Sequence, residues 1–129
     1  MIEQIFDISK ALIDEVSMDF QREQFAYIQD HTTPLALVGH RGVGKTYLML
    51  QICKQFEKSM YISADHLIVH SLGLRNIVQK LVKEHDKKLI CIDEIHLYPK
   101  WQQELKNILD AFPRVRFLIS GSNSIHLSA

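Results

Sequence analysis

The residues with the clearest chemical meaning in this chain form the run GHRGVGKT, from Gly39 to Thr46. The run fits the phosphate-loop pattern G-x-x-x-x-G-K-[ST] without a mismatch. The glycines of this pattern adopt backbone conformations that other residues avoid, which lets the chain close around an anion. Lys45 can then reach the terminal phosphates of a nucleotide, and the Thr46 hydroxyl can bind Mg²⁺. The run predicts a nucleoside-triphosphate site, against the alternative of a plain glycine turn between a strand and a helix.

The sequence on either side of this run supplies the elements that must position it. Residues 35–38 (LALV) form a short apolar run, which predicts a buried strand. Apolar residues then recur at helical spacing over residues 48–56. The first turn of that helix would point its N–H groups and its positive dipole end at the anion. Arg41 either contacts phosphate or faces outward. The predicted nucleotide-binding residues are Gly39, His40, Arg41, Gly42, Val43, Gly44, Lys45, Thr46 and Tyr47.

A pair of carboxylates, Asp93 and Glu94, follows the apolar run LICI at residues 89–92. Such a run is typical of a strand covered on both faces, so Asp93 is expected at a strand tip beside the phosphate loop. There it would hold Mg²⁺, through water or with Thr46 as a neighbour. Glu94 would orient and polarise a water molecule for attack on the terminal phosphoryl group; the alternative for the pair is a charged strand end. The expected catalytic residues are Glu94 and Lys45, and the expected metal ligands are Thr46 and Asp93.

The nucleotide base is predicted from two absences in the sequence. The chain contains no N-K-x-D sequence to bind guanine, and the run from Asp93 to His96 (DEIH) is not a D-x-x-G switch. The expected ligand is therefore ATP, with Mg²⁺ as its cofactor.

Other polar residues are candidates for functional roles, and each also has a structural alternative. Ser120, Ser122 or Asn123 could hydrogen-bond the γ-phosphate or the attacking water as a sensor, or could simply cap a strand. His66 and His70 have an i, i+4 spacing, but no third ligand follows at a matching interval, so no metal site is predicted there.

Strand and helix patterns alternate along the chain. The expected helices span residues 2–16, 19–28, 48–56, 74–82 and 98–112, and the expected strands span 35–38, 59–63, 89–92 and 115–119. This alternation predicts an α/β fold in which a parallel sheet has helices on both faces. Ligands of such sheets lie at the carboxyl ends of the strands, where the polar groups of this chain collect. Asp65 stands at one of those ends and either approaches the site or begins the next segment.

Composition limits the class of protein. With 129 residues, of which 47% are hydrophobic, the chain can form one domain with a substantial core. Fifteen basic and fifteen acidic residues cancel, so nothing in the net charge favours nucleic acid or an anionic membrane as a partner. Cys53 and Cys91 lie at apolar positions and are expected as reduced core residues. The sequence shows neither a signal peptide nor a membrane span, and a cytoplasmic location is expected.

Four segments together resemble a known family: GHRGVGKT, YISAD, LICIDEIHLYPKWQQELKNILD and FLISGSNS. They resemble prokaryotic AAA-type ATPases of the larger AAA+ group, in which an N-terminal ATPase domain usually precedes a C-terminal region of poorly defined role. The resemblance implies a three-layer α/β/α P-loop NTPase with a four-stranded, mainly parallel sheet and an N-terminal helical segment. The strand of Ser120 would lie between the phosphate-loop strand and the Asp93 strand. Residues 39–46 would be the Walker A motif and residues 93–94 the Walker B motif, with the sensor within 120–123.

The chain departs from the AAA+ pattern at its end. A single domain is expected over residues 1–129, with N-terminal helices in 1–31 and the nucleotide-binding core in 35–129. It stops after the fourth strand, before the fifth strand, arginine finger and lid of AAA+ proteins, so we expect a fragment with weak turnover. The phosphate-loop strand would then be an exposed edge that invites pairing between copies, which leaves a homo-oligomer of the full-length protein open as a partner.

Three functions fit these residues. The first is Mg²⁺-dependent ATP hydrolysis that couples nucleotide state to conformational change in a longer protein. The second is a nucleotide-dependent switch with little turnover. The third is a scaffold with an inactive site, which the intact Lys45, Thr46, Asp93 and Glu94 disfavour.

Overall fold

A computed structural model of the chain describes residues 2–19, 35–38 and 44–121. The helices are α1 (Ile2–Glu15), α2 (Lys45–Gln55), α3 (Leu67–Leu72), α4 (Leu74–Lys83) and α5 (Trp101–Ala111), with a short 3₁₀ helix at Ile95–Leu97. The strands are β1 (Leu35–Val38), β2 (Ser59–Ser63), β3 (Leu89–Asp93) and β4 (Arg116–Gly121). None of the described helices combines the length and apolar character needed to cross a bilayer.

The strands form one sheet in the order β1-β4-β3-β2, and every neighbouring pair is parallel. The prediction of an α/β fold with a parallel sheet is confirmed. Strand β4 lies between β1 and β3, although four α-helices and two strands separate it from β1 along the chain. This order brings the end of β4 next to the end of β1, where α2 begins, and next to the end of β3.

Helices cover both faces of the sheet because side chains along each strand alternate between the faces. One face packs against α4 and α5, and its buried residues are Met60, Ile62, Ile90, Ile92, Phe117 and Ile119. The opposite face packs against α2, and its buried residues are Tyr61, Leu89, Cys91 and Leu118. Because Ser63, Asp93 and Ser120 follow the same alternation, they lie at the end of the α2 face.

Helix α1 packs against the outer edge of β2. Its residue Ile5 belongs to the core on the α4 and α5 face, whereas Leu12 and Ile13 pack on the α2 face. Between them, the Ser9 hydroxyl accepts a hydrogen bond of 3.1 Å from the Tyr61 backbone N–H, and Ser9 is only 2% exposed. An outer strand leaves backbone N–H groups without a partner strand, and a buried one must be paired. Ser9 supplies that partner.

Replacing Ser9 with alanine should lower the free energy of unfolding by about 1–3 kcal/mol, because the buried Tyr61 N–H loses its acceptor. Urea denaturation of the two proteins measures the difference. Ser71→Ala is a matched control, since Ser71 is an exposed helical serine of α3. Its effect should stay within about 0.5 kcal/mol. Equal effects of the two substitutions would contradict the assignment of Ser9 as a structural acceptor.

Both cysteines are buried and free, as expected for core residues. The Sγ atoms of Cys53 in α2 and Cys91 in β3 are 3.4 Å apart. The hydrogen bond with Cys53, together with burial, raises the pKa of the Cys91 thiol. The pair therefore acts as small core side chains that join α2 to the sheet.

The elements differ from the sequence predictions in several places. Helix α5 begins at Trp101, after Tyr98 and Pro99, where it was expected to open. Helix α3 was not predicted, because its six residues are too few to show a helical period before Gly73 ends it at φ 89°. Strand β4 continues to Gly121 instead of ending at Ile119, so Ser120 lies within a strand and not in a terminal turn. The predicted helix at residues 19–28 falls almost wholly on residues 20–34, outside the described part of the chain.

Candidate functional site

Helix α2 starts directly at the end of the predicted phosphate loop. Its cap, Gly44, has φ 85° and ψ 14°, a left-handed conformation that glycine adopts without steric cost. The Gly44 carbonyl accepts the backbone N–H of Leu48 at 3.0 Å, which closes the first helical turn. The N–H groups of that turn have no acceptor within the helix, and the helix dipole makes this end positive. The arrangement suits an anion.

The Lys45 side chain lies across the end of the neighbouring strand. Its ammonium group donates a hydrogen bond of 2.7 Å to the Gly121 carbonyl at the end of β4, and the residue is 9% exposed. Lys45 is thereby held at the carboxyl edge of the sheet, at the start of α2.

The Asp93 carboxylate at the end of β3 is bound by hydroxyl groups from three elements. The Thr46 hydroxyl of α2 and the Tyr61 phenol of β2 each donate to Oδ2, at 2.6 Å. The Ser120 hydroxyl of β4 donates to Oδ1. Asp93 is 2% exposed, and a buried carboxylate requires such partners. Both carboxylate oxygens are therefore fixed in position.

Glu94 follows Asp93 in a left-handed backbone conformation, with φ 55° and ψ 43°. Non-glycine residues rarely adopt this conformation, and such strained residues are frequent at functional sites. The Glu94 backbone N–H donates to the Ser120 hydroxyl at 3.1 Å, which holds the turn. The Glu94 carboxylate oxygen Oε2 lies 3.6 Å from Nε2 of His96. When the His96 ring is protonated, the two side chains form an ion pair.

Lys45, Thr46, Asp93 and Glu94 line one open cavity of about 550 Å³. The start of α2 lines it on one side, and Asp93 and Glu94 line it on the other. The tip of β2 completes it with Ser63 and Asp65, whose side chains bond each other. Asp65, left open by the sequence, therefore lies at the cavity that holds the other polar groups.

A second cavity of about 520 Å³ lies between α1 and α4 and is lined by residues such as Ile2, Asn76 and Lys80. It lies away from the carboxyl edge of the sheet and contains none of the predicted site residues. The cavity at the start of α2 is the better candidate because its polar groups converge from several elements.

The oxygen atoms at this cavity suit Mg²⁺. Magnesium usually binds one or two protein oxygen ligands and takes the rest from substrate phosphates and water. The Thr46 hydroxyl and the Asp93 carboxylate supply such oxygen atoms side by side. A hydroxyl can offer a lone pair to a cation while its hydrogen remains on the carboxylate. In the described ranges no group of three or more His, Cys, Asp or Glu residues could form an all-protein metal cage.

The structure brings together Lys45, Thr46, Asp93, Glu94 and Ser120 from three regions of the sequence. Seven predicted residues lie outside the described part of the chain: Gly39, His40, Arg41, Gly42, Val43, Ser122 and Asn123.

Tyr47 and the histidines make contacts that sequence spacing did not indicate. The Tyr47 hydroxyl donates to the Ser17 carbonyl at 3.0 Å and accepts the Ser17 N–H at 3.2 Å, so it bonds the chain just after α1. The ring nitrogen Nε2 of His70 lies 2.6 Å from the Ala64 carbonyl, which gives this histidine a structural bond. His66 lines the cavity.

Tyr61 binds the Asp93 carboxylate at the site, and the sequence did not indicate this role. Its place in the strand pattern of β2 predicts a core residue, and the Tyr61 side chain is buried, at 6% exposure. Only the register of β2 against β3, which pairs Tyr61 with Cys91 and Ser63 with Asp93, places it on the Asp93 face. Burial and the negative charge of Asp93 raise the pKa of the Tyr61 phenol well above its usual range. The phenol therefore stays protonated and donates a hydrogen bond to the Asp93 carboxylate.

The comparisons with known proteins agree with this geometry. The model of a family described as "AAA domain" matches residues 31–129. Comparison with curated proteins gives no significant match. The matched segment covers more than half of the chain and includes every predicted site residue. From the start of α2, the ends of β3 and β4 and this match, we conclude that the chain belongs to the AAA domain family.

Proposed function

We propose that the chain binds ATP with Mg²⁺ and hydrolyses it, and that the nucleotide state alters the conformation of the protein. The observation that carries the proposal is the 2.6 Å hydrogen bond between the Thr46 hydroxyl and the Asp93 carboxylate. Residues 47 positions apart meet at the N-terminus of a helix that follows a phosphate-loop sequence. That arrangement supports an oxygen site for the magnesium of a bound nucleotide.

Each residue has a role that its position supports. The N–H groups at the start of α2 and the Lys45 ammonium would bind the β- and γ-phosphates. Thr46 and Asp93 would hold Mg²⁺, which supplies charge neutralisation at the phosphates. Glu94 would orient a water molecule and accept its proton, because its carboxylate lines the same cavity and is 18% exposed. Ser120 would position the Asp93 carboxylate and the Glu94 backbone.

A link between the site and α1 supports the conformational part of the proposal. Three side chains on one face of α2 donate to backbone carbonyls at or just after the end of α1. Tyr47 and Gln51 donate to the Ser17 carbonyl, each at 3.0 Å, and Lys54 donates to the Val16 carbonyl at 2.7 Å. A shift of the first turn of α2 on phosphate binding would therefore move the end of α1.

The same link favours a second function, a nucleotide-dependent switch in which turnover only resets the state. In both functions ATP binding changes the contact between α1 and α2. They differ in whether the biological output needs repeated hydrolysis.

The direct test measures binding and turnover by this chain. Calorimetric titration with ATP, with and without Mg²⁺, should show binding that Mg²⁺ strengthens, and phosphate release should require Mg²⁺. GTP should bind more weakly. Absence of ATP binding in the presence of Mg²⁺ would overturn the proposal.

A further inference from the structure

The Asp93 carboxylate receives a hydrogen bond from an outer strand of the sheet. Tyr61 belongs to β2, and its hydroxyl reaches Oδ2 of Asp93 at 2.6 Å, on the same oxygen that binds Thr46. Tyr61 thus touches the carboxylate that the proposed function places next to Mg²⁺, from the side opposite to β4. Neither the phosphate-loop pattern nor the carboxylate pair at the end of β3 requires a residue in this place.

The position of the Tyr61 side chain is fixed by contacts of its backbone and of its ring. Its backbone N–H is bound by Ser9 of α1, and its backbone pairs with β3 in the register that sets Ser63 opposite Asp93. Its ring is buried in the core beside α2. A phenol held in this way donates along one direction, so it acts as a rigid support for Oδ2.

We propose that Tyr61 is a positioning residue for the magnesium site, which sets the orientation of the Asp93 carboxylate by its hydrogen bond to Oδ2. This inference rests on the proposed function. Without the phenol, Oδ1 keeps Ser120 as a partner, and Oδ2 keeps, among the described residues, only the hydroxyl of Thr46, itself a proposed ligand. The carboxylate can then turn, and its geometry toward the cation is lost. Residues that orient a metal ligand typically contribute 10–100-fold to metal affinity or activity.

The test uses Tyr61→Phe in the whole chain and measures binding separately from turnover. Calorimetry with a non-hydrolysable ATP analogue gives the affinity in EDTA and at increasing Mg²⁺. In EDTA the variant should match the wild type, because Lys45 and the start of α2 are unchanged. The Mg²⁺ midpoint, which is the Mg²⁺ concentration that gives half of the Mg²⁺-dependent gain in affinity for the analogue, should rise about 10-fold or more. Electron paramagnetic resonance of Mn²⁺ bound with the analogue should show a changed spectrum.

Tyr98→Phe is the matched control. The Tyr98 hydroxyl accepts the Leu74 backbone N–H at 3.0 Å, so this variant loses a phenol hydroxyl away from the cavity. Its Mg²⁺ midpoint should equal that of the wild type. Rescue uses p-aminophenylalanine at position 61, which restores an N–H donor at the end of the ring and should return the midpoint toward the wild-type value.

The outcomes separate this inference from the proposed function. If the wild-type chain shows no Mg²⁺-dependent nucleotide binding, the proposed function fails and Tyr61 has no site to position. If the wild type binds and Tyr61→Phe has an unchanged or lower Mg²⁺ midpoint, only the inference about Tyr61 is overturned. Failure of p-aminophenylalanine to restore the midpoint overturns it as well. If Tyr61→Phe is unfolded by circular dichroism, p-fluorophenylalanine at position 61 takes its place, because it keeps an atom at the end of the ring but donates no hydrogen bond; a wild-type Mg²⁺ midpoint in that variant would overturn the inference.

Discussion

Replacing Lys45 with methionine is expected to weaken ATP binding at least about 100-fold while the chain stays folded. The ammonium group would form two or more charge-assisted hydrogen bonds with the phosphates, each worth about 1.5–3 kcal/mol. Their loss corresponds to about two orders of magnitude in the dissociation constant. Methionine has a similar length and no charge to desolvate, so it fits the buried position at the start of α2. Calorimetric titration with ATP measures the change.

Lys106→Met provides the control. Lys106 of α5 is exposed and pairs with Asp110 at 3.0 Å, outside the cavity. The variant removes an equal charge from the chain, and its ATP affinity should stay close to that of the wild type. If both variants lost affinity equally, the effect would come from the net charge of the chain and not from a Lys45 contact with phosphate.

The fold was largely predictable because its signals are local. Each strand except β4 was predicted within one residue, since apolar runs of four or five residues bounded by polar ones are typical of buried strands. The helices α4 and α5 show the apolar spacing of 3.6 residues that one buried face requires. Helix α2 was predicted from the same spacing, but residues 48–53 are all buried, Gln51 among them. Helix α3 was missed because six residues cannot display that period. The end of β4 was missed because Ser120 and Gly121 are unusual strand residues, held there by pairing with Leu37 and Val38 of β1.

The site was predictable only as far as its residues carry their own chemistry. Lys45, Thr46 and Asp93 belong to sequence patterns whose mechanism is known, so their convergence could be expected from a parallel sheet. Tyr61 carries no such pattern. Its part in the site depends on strand register and on a contact across 32 sequence positions. The packing of Ser9 against the β2 edge is likewise a tertiary effect, because nothing near Ser9 in the sequence marks it as an acceptor for a strand.

Replacing Glu94 with glutamine is expected to lower the rate of ATP hydrolysis about 10²–10⁴-fold, the usual contribution of a general base, with little change in ATP affinity. Glutamine keeps the size of the side chain but cannot accept the proton of the attacking water. Glutamine and glutamate differ little in backbone preference, so the left-handed turn at φ 55° and its bond to Ser120 should persist. Phosphate release under single-turnover conditions measures the chemical step, and calorimetry measures binding.

Glu104→Gln is the matched control for this prediction. The Glu104 carboxylate of α5 accepts the Arg75 backbone N–H at 3.1 Å, and Glu104 does not line the cavity. An amide oxygen can accept the same hydrogen bond. Its hydrolysis rate should equal that of the wild type. Hydrolysis by Glu94→Gln within a few fold of the wild type would contradict the role of Glu94 and move the proton acceptor elsewhere. In cells the same variant separates the two functions: lost biological output with ATP bound supports a motor-like ATPase, whereas retained output supports a switch that needs only binding.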